Sequence, residues 1–174
     1  MFAFLCPVGD VRRQARDARS DPPRGEKLRF SEVLKEKTKD VHASSDALVQ
    51  AKMALAFSDS RVWVALLQQF GHVYTAIEEE LKAHANHPHI APLYEPFFSK
   101  LIRSEAFQDD VEYFAGQREH GCVCKAAVEY IACIREGARE DPTLLIAYAQ
   151  TMYMALLSGG QIMRRIQRTA MGLQ

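Results

Sequence analysis

The sequence predicts an all-α protein, and three observations carry that expectation. Apolar residues recur at three- and four-residue intervals over several long stretches. Alternation of the kind that makes a strand never runs beyond a few residues. Proline punctuation falls between the periodic stretches. At 174 residues the chain reads as one domain, long enough to bury roughly 70% of its unfolded surface. Its 22 basic and 22 acidic residues cancel, which argues against nucleic acid as a partner. No apolar run approaches the roughly 18–20 residues that a membrane span needs.

Residues 1–27 stand apart. Met1 to Val8 is short and apolar, and Arg12, Arg13, Arg16, Arg19 and Arg24 follow it. A secretory signal places its positive charges before the apolar stretch, so the order here is wrong. The arginines suit an organelle transit peptide, but Asp10, Asp17 and Asp21 count against one. The segment reads as a disordered N-terminal arm preceding a helical domain over 28–174.

The first helix is expected from about Phe30 to Gln50, with Phe30, Leu34, Val41 and Leu48 as its apolar stripe. Beside them run Lys35, Lys39, His42 and Asp46, at intervals of four, three and four, which place them on one face. A histidine below two lysines suits an iron whose ligand also carries negative groups; an ordinary solvated face with a chance histidine fits the same spacing. The second helix, Ser60 to Ala83, is strongly amphipathic, with Trp63, Leu66, Leu67, Phe70, Tyr74, Ile77 and Leu81 as its core stripe. Glu78-Glu79-Glu80 reads as its solvated side. His84, His87 and His89 follow, but Asn86 and Pro88 break the helix there, so they read as a surface loop. Pro92 and Pro96 lead into a short helix from about Phe97 to Ser104, and another is expected over Gln108 to Phe114. Gly116 to Gly121 is a polar loop. A helix from Val123 to Glu136 follows, with Val128, Ile131 and Ile134 inward and Gly137 past its end.

The last helix is the longest, starting at Asp141-Pro142 and reaching at least Arg168. Asp141 suits an N-cap and Pro142 a first-turn position. Leu144, Leu145, Tyr148, Met152, Ala155, Leu156, Gly159, Met163 and Ile166 recur along it at helical spacing. Ser158-Gly159-Gly160-Gln161 falls in its middle, where two glycines cost roughly 2 kcal/mol against alanines. A kink, a side-chain-free face for something bulky and flat, or a tight crossing of two helices would each offset that cost.

Cys6, Cys122, Cys124 and Cys133 form no zinc-knuckle spacing and read as reduced, partly buried thiols of a cytosolic protein. There is no phosphate-cradling glycine loop and no nucleophile elbow. What remains is one helix carrying Lys35, Lys39 and His42, and another with a bare glycine face. Together they would suit a flat, iron-bearing dianion, with imidazole on the iron and lysines on its carboxylates.

The chain from about Leu28 to Leu173 resembles the animal heme oxygenases. The pieces that carry the resemblance are Leu34-Lys35-Glu36 with Thr38-Lys39-Asp40-Val41-His42; His72-Val73-Tyr74 with Glu78-Glu79-Glu80; Ala91-Pro92-Leu93-Tyr94 with Pro96; and Leu157-Ser158-Gly159-Gly160-Gln161. The resemblance implies a single all-helical domain holding heme between a proximal and a distal helix. It implies His42 as the axial iron ligand, with Lys35, Lys39, Asp46, Tyr153, Ser158, Gly159 and Gly160 as heme-binding positions. The activity implied is cleavage of heme, substrate and cofactor at once, to biliverdin, carbon monoxide and ferrous iron. Dioxygen is the co-substrate, and electrons come from NADPH through a flavoprotein reductase. Biliverdin reductase is an implied partner, and the location implied is cytoplasmic, at the endoplasmic reticulum surface through partners.

Three departures accompany the resemblance. Leu156 stands where the family carries the aspartate that holds a distal, proton-delivering water network, so the distal position of this chain should be dry and its turnover slowed. Gln150 and Met152 replace a propionate-contacting tyrosine and a distal arginine. The chain stops at Gln174, ahead of the family's later helices, and so reads as a shortened domain. A heme-binding relative with little turnover is the second reading, and a helical interaction module the third.

Overall fold

In the computed structural model, the described residues are 32–33, 36–40, 53, 56–57, 59–117 and 121–172. None of them lies in a strand. The named helices are α1 (Ser60–Ala83), α2 (Ala91–Tyr94), α3 (Ser104–Ala115), α4 (Lys125–Glu140) and α5 (Leu144–Ala170), with a 3₁₀ turn at Phe98–Lys100. Residues 36–40 are helical, as the first amphipathic stretch predicts. Lys35, His42, Asp46 and the arm at 1–27 lie outside the described residues.

The centre is α1, against which α3, α4 and α5 all pack. Its N-terminus is set by Asp59, whose carboxylate accepts from the Arg61 N–H at 2.9 Å. Tyr74, Ile77 and Leu81 are all but fully buried on its inner face. Gly71 lets α3 come close, since a β-carbon there would lie 3.4 Å from Phe107 Cβ. Phe107 fills that approach, tilted against Tyr74 with ring centroids 5.1 Å apart. From α4 come Ala127, Tyr130 and Ile134, and from α5 Leu145 and Ala149, closing one core.

The expected bounds of α1 and α5 stand close to those found; other readings are corrected. The proline-rich stretch makes α2 and a 3₁₀ turn, and the next helix starts at Ser104, earlier than Gln108. Val128 is exposed, because α4 turns Ala127, Tyr130 and Ile134 inward instead. Gly137 does not end α4 but lies buried within it, where Tyr148 Cε2 approaches to 3.3 Å of the position a β-carbon would take. The helix runs on to Glu140 and ends at Asp141, while the N-cap of α5 is Thr143, two residues later than the Asp141 that the sequence suggests. Asp141 Oδ1 accepts from the Thr143 N–H at 2.9 Å and from its hydroxyl at 2.6 Å. Those bonds hold its carboxyl below the usual aspartate range.

The segment before α4 is clipped to α1 by one side-chain amide. Gln69 Nε2 donates to the Cys122 carbonyl at 3.1 Å, and Gln69 Oε1 accepts from the Cys124 N–H at 2.8 Å. One turn on, His72 Nε2 meets the Gly121 carbonyl at 3.1 Å. Cys122 and Cys124 are free and exposed rather than partly buried. Cys133 is half-buried within α4, and Cys6 lies outside the described residues.

Candidate functional site

The glycine pair sits in unbroken helix. Both Gly159 and Gly160 belong to α5, and positive φ among the described glycines occurs only at Gly116 and Gly172. A β-carbon at Gly159 would meet no described atom within 4 Å. At Gly160 its neighbour would be Leu156 Cδ1 at 3.3 Å, a contact from the same helix one turn earlier. Neither glycine therefore serves a tight helix crossing among the described residues. What they make is a strip of bare backbone, the feature a planar ligand needs in order to lie against a helix. On this observation the residues present fit a flat group on that side.

The flanking residues take distinct roles. Ser158 is exposed and spends its hydroxyl on the Met154 carbonyl at 2.5 Å, a bond back along its own helix. Leu156 is half-buried and packs against the core cluster beside Gly160. Its two methyls cover that part of the strip and offer no hydrogen-bond donor or acceptor. Tyr153 is 4% exposed and points into the fold, where its hydroxyl donates to Glu78 Oε1 at 3.1 Å. Burial and the Glu78 charge push that phenol well above the ordinary tyrosine range. Lys39 is exposed on its helical stretch. His42, Lys35 and Asp46 lie outside the described residues.

Sequence reasoning passed over Glu78. It is not part of a solvated face: its carboxylate also accepts from the Arg103 N–H at 2.6 Å and from the Ser104 hydroxyl at 2.5 Å. The signal was its position four residues past Tyr74, on the same side of the helix. Tyr74 in turn donates to the Met152 carbonyl at 2.7 Å.

Two clefts lie elsewhere. One of about 660 Å³ runs between α1 and α4, with Val123, Val128 and Ile131 beside Arg135 and Arg139. Arg135 pairs there with Glu79 at 3.2 Å. The other, about 360 Å³, is lined by Gln161, Arg164, Arg165 and Arg168, directly after the glycines. The first shares no residue with the glycine motif, and the second adds positive charge beside it. Among the described residues no three His, Cys, Asp or Glu side chains gather to hold a metal ion. No described helix is long and apolar enough to cross a membrane.

Fold and site together define an all-helical domain with a bare glycine strip on its longest described helix. The heme oxygenase family profile matches residues 28–174. The chain is 36% identical over 150 residues to a heme oxygenase of Takifugu rubripes, covering 83% of this chain and 52% of that one. It is 37% identical over 147 residues to heme oxygenase 2 of Macaca fascicularis, covering 83% of this chain and 46% of the relative. The fold matches heme oxygenase-1 from the cyanobacterium Synechocystis, solved in complex with heme, at a TM-score of 0.72 and 28% identity, over 84% of this chain and 66% of that one. This chain belongs to the heme oxygenase family. It spans about half the length of the curated relatives it matches.

Proposed function

We propose that this protein is a heme oxygenase, cleaving heme oxidatively to biliverdin, carbon monoxide and ferrous iron. The single observation that carries the reading is the open strip at Gly159 and Gly160, inside an unbroken helix of a heme oxygenase-family chain. The Synechocystis relative, which was solved with heme, supports it.

In this reading residues 28–174 are the working unit. His42 would hold the iron through an imidazole nitrogen. Lys35 and Lys39 pair with the propionate carboxylates, where each charge-assisted bond is stronger than a neutral one, and Asp46 stands one turn past the histidine. Gly159 and Gly160 would offer the ring their bare backbone with Ser158 next to them, while Tyr153, expected at the heme, instead faces the core on Glu78 and holds their helix from behind. Heme, when bound, supplies dioxygen activation at its iron and is itself the substrate. Leu156 excludes water from the distal side and has no proton to give, so turnover is slower than an aspartate there would allow. Electrons come from NADPH through a flavoprotein reductase, and biliverdin reductase is the enzyme that takes the product onward. The setting is the cytoplasm, with attachment to the endoplasmic reticulum surface through partners.

Hemin titration is the test. A Soret band of histidine-ligated heme should form with the wild-type chain and be lost in His42→Ala. Reductase, NADPH and dioxygen should then yield biliverdin and carbon monoxide, with Leu156→Asp raising the yield. An absent Soret band overturns the assignment. A stable band without biliverdin leaves a heme-binding relative instead.

A further inference from the structure

The glycine strip has to face one way, and the contacts that decide this lie upstream of it. Tyr74 and Glu78, one turn apart on α1, hold Met152 and Tyr153, adjacent on α5, through bonds of 2.7 and 3.1 Å. Tyr74 and Tyr153 are 1% and 4% exposed, and their rings meet edge to face at 5.4 Å. One tether alone would stop α5 sliding. Two of them, one on the Met152 backbone carbonyl and one on the Tyr153 side chain, fix α5 at two separate points and so also stop it from turning on its axis. Beyond Tyr153 such fixation thins out: Met154 is 57% and Leu157 45% exposed, and Gly159 meets no described atom. Gly159 lies six residues past Tyr153, a rise of about 9 Å within one continuous helix. Its direction around the axis therefore follows from how Tyr153 is held.

We infer that Glu78 is a positioning residue, which through the Tyr153 hydroxyl sets the rotation of α5 and so the direction in which the Gly159–Gly160 strip faces. Its consequence for a ring rests on the heme reading above; the clamp itself does not. Glu78 also accepts from the Ser104 hydroxyl through its other oxygen, which supplies an internal control.

The test uses the full chain as wild type, Tyr153→Phe and Ser104→Ala. Tyr153→Phe removes one hydroxyl and keeps the ring. Without hemin, it should speed amide hydrogen exchange over 156–166 by about fivefold to tenfold, the scale of one lost hydrogen bond, and leave α4 unchanged. Ser104→Ala should leave 156–166 at the wild-type rate. With hemin, Tyr153→Phe should change the ferric spin-state bands, while Ser104→Ala keeps the wild-type spectrum. Equal acceleration across α1, α4 and α5 would make the bond merely structural and overturn the proposal, as would unchanged exchange over 156–166. If the wild-type chain takes up no hemin, the ring reading falls and the exchange pattern alone decides the clamp.

Discussion

The two halves of α5 are built on opposite terms. From Leu144 to Tyr153 the helix is bound into the fold: Leu145 and Ala149 are fully buried, Met152 and Tyr153 nearly so, and α1 grips the last two. From Met154 to Gly160 it presents exposed Met154, Leu157 and Ser158 and a strip without side chains. A helix is stiff along its length, so the bound half can set the direction of the open one without covering it. The contrast shows how a surface is kept both accessible and well placed.

The sharpest way to break this comparison is to cut the same side chain in each half. Leu145→Ala should cost about 3 kcal/mol by leaving a cavity, whereas Leu157→Ala should stay within about 0.5 kcal/mol. Urea unfolding followed by circular dichroism measures both, and equal losses would erase the distinction. Next in size, Tyr74→Phe should lose about 1 kcal/mol, the worth of one hydrogen bond to Met152.

Gly159→Ala runs the other way. With no described atom in the path of the new methyl, it should stabilise the ligand-free protein by about 1 kcal/mol, while its hemin affinity falls. Gly160→Ala should gain less, because Leu156 Cδ1 at 3.3 Å must give way.

The smallest expected effect concerns the second half's charged neighbour. Asp110 is exposed, so only partial desolvation by its neighbours raises its carboxyl above the ordinary 3.8, Arg164 of α5 opposes the shift, and solvent screening keeps the effect small. Between that ordinary value and the raised one, the folded state keeps a proton that the unfolded chain gives up. Stability therefore falls as pH rises through the window, and the cost is complete above it. Asp110→Asn should then stabilise modestly at pH 7, with the gain gone below pH 3.8, as paired urea titrations would show.

Much of this was legible in the sequence, for physical reasons. The bounds of α1 follow from a strong 3.6-residue stripe between Asp59 and the Asn86-His87-Pro88 break. The glycine pair announces itself because its helical cost demands an offset. Glu78 was hidden because three glutamates in a row look alike, and only the third dimension shows which one reaches Ser104 and Tyr153. Gly137 misled because a glycine near a helix end suggests a stop, whereas here it makes room for Tyr148.

The Gln69 amide imitates a peptide group. Between the Cys122 carbonyl and the Cys124 N–H it takes the place that a neighbouring peptide group would fill beside an extended chain. A glutamate there has the same shape but no donor, and its charge would repel the Cys122 carbonyl oxygen. One nitrogen in place of one oxygen thus moors the entry to α4, and with it one end of the furrow that α4 forms with α1.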